Sequence, residues 1–185
     1  MAILLAGCAI FPRSETPEVG APAWAIAPAV WRIRQVVLIE FGEAKIPIQG
    51  YLELNAATRT VRLIAMDDFG VTLFRLTITT AGETVDFMLP LVPHGEEVAR
   101  SVATSLRRIY LAPGVAVAGA GESRLEADRE GHVAAAGPRS GGRWRIWYDD
   151  YRDEGGVPVP HVIRYRERGG VSLAIRQESV KRVDR

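Results

Sequence analysis

The chain has 185 residues, a length that suits one domain of ordinary size with a short extension and argues against two large domains. Hydrophobic residues make up 48% and charged residues 24%, so neither global disorder nor a collagen-like repeat fits. The 23 basic side chains nearly balance the 22 acidic ones, which offers no electrostatic case for nucleic acid, and a single cysteine excludes an internal disulfide or a thiolate-rich metal centre.

The chain opens Met1-Ala2-Ile3-Leu4-Leu5-Ala6-Gly7-Cys8, in which Leu5-Ala6-Gly7-Cys8 resembles a bacterial lipobox. The resemblance implies that Cys8 carries a diacylglyceryl group and an acylated amino terminus, enough hydrocarbon for stable membrane anchoring. Only a short apolar stub precedes the cysteine, so residues 1–8 read as a truncated lipoprotein signal peptide. The alternative is a buried thiol in an apolar segment. In Gram-negative lipoproteins an Asp after the cysteine commonly retains the protein in the inner membrane, so Ala9 implies an outer-membrane, periplasm-facing address. Residues 9–30 carry Pro12, Pro17, Gly20, Pro22 and Pro28 among alanines, a composition that predicts an extended tether with neither helix nor central strand. No later apolar run is long enough to predict a transmembrane helix.

The domain proper is expected at residues 31–185. Trp31, Ile33, Val37, Ile39 and Phe41 alternate with Arg32, Arg34 and Glu40, the period of a half-buried antiparallel strand. After Gly42-Glu43-Ala44 a second strand places Ile46, Ile48, Leu52 and Leu54 on one face. Strands at 60–66, 71–79 and 84–91 follow, separated by Asp67-Asp68-Phe69-Gly70 and Thr80-Ala81-Gly82. Between residues 95 and 110 the period changes: Val98, Val102, Leu106 and Ile109 recur at helical spacing. Pro113 and Gly114 end that helix, and the glycine- and alanine-rich stretch 115–142 contains one short strand candidate at 123–127. Strands resume at 142–151, where Trp144 and Trp147 fall on opposite faces, one for the core and one as an interface anchor. A final hairpin pairs 159–168 with 171–183 through Gly169-Gly170, read as a type I′ turn with two positive φ angles. About nine strands with one helix after the fifth predict a mainly β, α+β fold: a strongly curved antiparallel sheet, an incomplete β-barrel, covered by the amphipathic helix. A β-sandwich is the rival architecture.

The segments Gln49-Gly50-Tyr51-Leu52-Glu53-Leu54, Val61-Arg62-Leu63-Ile64-Ala65-Met66 and Asp68-Phe69-Gly70-Val71-Thr72-Leu73-Phe74-Arg75-Leu76 resemble the lipoprotein-carrier superfamily typified by LolA and LolB. The closer resemblance is to the DUF3261 lipoproteins, over residues 36–111. It implies an apolar interior that accepts acyl chains, a lipid or acylated ligand, and transport by partition instead of catalysis. Burial of hydrocarbon at roughly 25 cal/mol per Å² supplies the affinity without a charged contact. The residues expected to line that space are Val37, Ile39, Leu52, Leu54, Leu63, Phe74, Leu76, Phe87, Leu89, Val102 and Leu106. The same inward pattern also describes a filled core. Carriers of the LolB type in addition use a protruding loop with an exposed apolar residue, and no segment is assigned to that part here.

Catalytic signatures are weak. His94, His132 and His161 belong to no metal-binding pattern, and His161 alternates with Val159, Ile163 and Tyr165 as a packed strand residue would. Asp149, Asp150, Asp153 and Glu154 form one carboxylate cluster whose spacing does not match an EF-hand, so a solvated turn is expected. There is no Gly-x-Ser-x-Gly elbow, and Gly119-Ala120-Gly121 lacks the rest of a dinucleotide fingerprint. The expectation is therefore a monomeric, non-enzymatic membrane lipoprotein without cofactor or metal. The alternative is a tethered interaction module with a filled core that docks a periplasmic protein through its sheet edge or the Arg107-Arg108 face.

Overall fold

The computed structural model describes residues 20–92, 94–111, 123–139 and 142–183. Cys8 and most of the tether lie outside the described residues. Ten antiparallel strands form one sheet in the order β5-β4-β3-β2-β1-β10-β9-β8-β7-β6. The first half comprises β1 (Val30–Phe41), β2 (Ala44–Asn55), β3 (Thr60–Met66), β4 (Thr72–Ile78) and β5 (Glu83–Met88). The second comprises β6 (Ser123–Ala127), β7 (Val133–Pro138), β8 (Trp144–Asp153), β9 (Pro158–Glu167) and β10 (Ser172–Val183). Each half is a five-stranded meander, and the long β1 and β10 join them at the centre.

The passage from β5 to β6 leads from one edge of the sheet to the other. It contains α2 (Gly95–Leu106), which continues into a π-helical turn, Arg107–Leu111. Val98, Ala99, Val102, Ala103 and Leu106 are buried on α2, as the helical period requires of the side that meets an apolar sheet face. His94 caps the helix in a left-handed conformation at φ 51°.

The expected strongly curved sheet, an incomplete barrel, is corrected. The ten strands form an open sheet whose end strands β5 and β6 do not pair; it is neither closed nor strongly curled. The two meanders grow outward from β1 and β10, so the last strand of each is left at an edge. The mainly β, α+β assignment with a covering helix stands, and one sheet with a helix on its face excludes the sandwich.

Three local differences have physical causes. Strand β7 was missed because Val133-Ala134-Ala135-Ala136-Gly137-Pro138 has one β-branched residue and little alternation. The four-residue helix α1 (Ala23–Ile26) lies within the stretch read as unable to form one, and its Trp24 is buried against Tyr110 and Tyr148 at ring-centroid distances of 6.0 and 5.9 Å. The β9 to β10 turn uses one positive φ, Gly169 at 73°, not two, and closes with Glu167 N–H donating to the Val171 carbonyl at 3.1 Å.

Candidate functional site

Nine of the eleven residues expected to line an apolar space come together on the inner face of the sheet and on α2: Val37, Ile39, Leu52, Leu54, Leu63, Phe74, Leu76, Val102 and Leu106 are all buried in one cluster. Leu89 follows β5 and is half-buried. Phe87 lies on the opposite, outer face with the Arg75 guanidinium 5.6 Å from its ring centroid. Its strand was read in the wrong phase because β5 buries almost nothing. The space between sheet and helix is occupied by side chains, with Trp31, Phe74, Ile109, Tyr110 and Tyr165 among the most enclosed.

Polar groups cross this apolar face in a connected chain. A bulge in the β1 to β10 register lets Gln35 and Gln177 face each other on the inner side, despite the odd spacing that separates Gln177 from the next inward residue, Val180. Gln177 Nε2 donates to the Tyr110 hydroxyl at 3.1 Å, and that hydroxyl donates to Gln35 Oε1 at 3.2 Å. Close approach at this point explains Gly50 on β2, where a Cβ would stand 3.0 Å from Gln35 Cγ. Gln177 Oε1 has no partner among the described residues. Burial raises the Tyr110 phenol, against a smaller opposing effect of the Gln177 bond.

The π-turn is fastened to both halves of the sheet. Arg107 Nη2 pairs with Glu83 of β5 at 2.5 Å, while its Nε donates to the Thr79 carbonyl at 2.8 Å. Arg108 pairs with Glu167 of β9 at 3.0 Å, donates to the Tyr165 hydroxyl, and stands 5.3 Å from the Trp144 ring centroid. Tyr148 donates its hydroxyl to the Ile109 carbonyl at 3.0 Å, and Arg59 reaches the Leu111 carbonyl from the β2 to β3 turn. Both arginine side chains are 11% exposed, so the Arg107-Arg108 pair is a set of internal fastenings and not an open docking face. Burial, partly offset by Arg108, pushes the Tyr165 phenol up to about 12.

The titratable clusters singled out in the sequence are structural. His161 is buried, with Nδ1 3.0 Å from the Gln177 carbonyl and Nε2 2.9 Å from Glu154 Oε1, which leaves neither ring nitrogen free to act as a base. Asp153 Oδ1 accepts the Gly156 N–H at 2.9 Å in the β8 to β9 turn, whereas Asp149 and Asp150 lie within β8, where Asp149 Oδ1 accepts the Asp150 N–H at 2.8 Å beside a positive φ at Asp150. The Arg152 hydrogen bond holds the Asp150 carboxyl below its ordinary range. One cluster went unnoticed in the sequence: Asp128, Glu130 and His132 bring ligating atoms within 4.8 Å of one another in the β6 to β7 turn. Asp128 Oδ1 there already accepts the N–H groups of Glu130 and His132, both at 2.9 Å. Also unassigned was Phe69, 93% exposed at the tip between β3 and β4, where Asp67 Oδ1 accepts the N–H groups of Phe69 and Val71.

No protein-family model and no curated protein matches the chain. Among solved structures, the fold is similar to that of a LolA superfamily protein from Nitrosomonas europaea, with a TM-score of 0.55 at 10% identity over 89% of this chain and 91% of that one. It is also similar to a DUF1329 family protein from Desulfovibrio piger, with a TM-score of 0.60 at 6% identity over 85% and 87% of the two chains. At these identities the likeness is one of fold alone, and the DUF3261 assignment has no matching family behind it.

Proposed function

We propose that this protein is a membrane-anchored, periplasm-facing lipoprotein that binds or transfers a lipid or acylated ligand without catalysis. Its support is one juxtaposition: an amphipathic helix lies on the apolar face of an open sheet, in a fold shared along most of the chain with a LolA superfamily protein. In this reading Cys8 carries the acyl anchor at the outer membrane, and the ligand displaces α2 and the π-turn from Val37, Ile39, Leu52, Leu63 and Leu76. The side chains that fill the space require the cover to lift before an acyl chain enters. Phe69, projecting from the β3 to β4 turn, is the residue that would touch a bilayer.

The filled inner face favours a second reading, a tethered interaction module with an ordinary core. Native mass spectrometry after mild detergent extraction, paired with titration of a fluorescent fatty acid, separates the two. Copurifying acyl lipid and a saturable titration are expected from a carrier. An empty protein with a flat titration leaves the module reading.

A further inference from the structure

The outer face of the sheet carries an array of arginines that the inner site does not explain. On β8 and β9 the outward residues form rungs across the strand pair: Arg145 stands directly opposite Arg166, and Trp147 opposite Arg164. One step beyond, the Arg168 N–H donates to the Arg143 carbonyl at 2.6 Å, so this pair continues the array. Five guanidiniums and one indole therefore occupy two strands and the residues that flank them, with rungs two residues apart, about 6.6–6.8 Å.

Among the described residues only Arg145 has a carboxylate partner, Glu126 at 2.5 Å. Like charges placed directly across a strand pair repel, so the bare array costs stability that an anion would return. The neighbouring strands are low at these positions. Arg166 and Arg164 face Ser172 and Ala174 on β10, and Gly137 of β7 packs against the Arg145 stem. Two troughs result, of about 880 and 560 Å³, that share Trp147, Arg166 and Ser172.

The other basic groove on this face behaves differently. There Arg32 and Arg62 flank Glu53 at 3.4 and 3.7 Å, and Arg34 pairs with Glu178 at 3.1 Å. Its three arginines are already answered from within the chain, and Lys181 is the one further cation lining it among the described residues.

From this contrast we infer that the β8 to β9 trough is a docking site for an acidic segment of a partner protein. The segment would lie extended along the strands, with carboxylates at alternate positions and an apolar residue beside Trp147. Alternate side chains of an extended peptide repeat at the same distance as the rungs, and guanidinium forks take carboxylates two bonds at a time. A Trp set among arginines is also the composition of an interface hot spot. A recessed trough fits a chain better than a flat bilayer, and one indole is too few for the successive stacking that single-stranded nucleic acid uses. The inference is independent of whether the inner face holds a ligand.

The test is fluorescence anisotropy of the full chain with a labelled peptide of four Glu-Val repeats, and a Gln-Val peptide as the uncharged control. Saturable binding of the acidic peptide alone is expected, weakening about tenfold as salt rises from about 50 to about 300 mM. Arg164→Ser with Arg166→Ser should weaken it by about tenfold or more, while Arg32→Ser with Arg62→Ser stays within about twofold. If the first pair does not fold, Arg143→Ser with Arg168→Ser at the exposed end replaces it. A flat titration, undiminished binding by these variants, or binding of an oligothymidylate or of phosphatidylglycerol vesicles in place of the peptide would each overturn the assignment.

Discussion

Arginine has opposite fates on the two faces of this sheet. On the inner side Arg107 and Arg108 are nearly enclosed, and each meets a carboxylate from a different strand at 2.5 and 3.0 Å. On the outer side Arg164 and Arg166 stand in a row with no carboxylate among the described residues. The difference follows from solvation. A guanidinium taken out of water requires a partner or the chain does not fold, whereas one left in water can remain unpaired at small cost until something binds it. Inner charges therefore report how the cover is attached, and those outer charges that the chain leaves unpaired report what the surface can receive.

The largest effect should come from the inner face. Trp31 on β1 is 1% exposed, and Trp31→Ala should cost about 3–5 kcal/mol, measured as a lower urea midpoint. Tyr51→Ala, on the outer side of β2, should shift the midpoint little. Equal losses would mean that the two faces are not energetically distinct.

Alkali gives a second comparison. Burial raises the phenols of Tyr110, Tyr148, Tyr151 and Tyr165, the last to about 12. Above about pH 10 the unfolded chain releases phenolic protons that the folded chain retains, so the unfolded state binds fewer protons and stability falls as pH rises. The contribution is complete below pH 10; the Tyr165 part is lost as pH rises through about 12, and the other three continue to lose theirs above that. Phenolate absorbance from these four residues should appear together with loss of structure; its appearance in a still-folded protein contradicts their enclosure.

Arg108→Met comes next, because it leaves Glu167, the Tyr165 hydroxyl and the Trp144 ring without their cation while keeping an unbranched apolar side chain in the same place. A loss of about 1–3 kcal/mol is expected in chemical unfolding. If the π-turn is the attachment of a movable cover, the same variant should also accelerate uptake of a fluorescent fatty acid. A loss of stability with no change in uptake would identify the turn as core.

Much of the fold was legible because burial on one face leaves period two in the sequence. Trp31, Ile33, Val37 and Ile39 fixed β1, and the switch to helical spacing at Val98, Val102 and Leu106 fixed α2. The signal faded where burial was one-sided or weak, as in β5 and in the alanines of β7. Trp24 was hidden for another reason: a single aromatic residue among prolines has no period, so only the fold reveals that it packs on Tyr110 and Tyr148. The curvature of the sheet depends on which strands lie at its edges, a long-range property that local alternation does not encode. Nine of the eleven residues expected at the apolar site face inward while Phe87 faces outward, and Gln35 and Gln177 were not singled out because a buried amide looks like an exposed one until the bulge beside it is known.

The smallest effect belongs to the outer arginines and decides how the array is interpreted. Arg164→Ser with Arg166→Ser removes two cations from a row in which Arg145 faces Arg166 across the strand pair. If those charges served folding, their loss would lower the melting temperature. Because they have no carboxylate to lose, and one of them repels its neighbour, the midpoint should stay the same or rise, by about 0.5 kcal/mol or less at low salt. Added salt should erase the difference, since screening already weakens repulsion between exposed groups. A clear destabilisation would instead show that the arginines are held within the chain, and the surface would then have no charge left over for a partner.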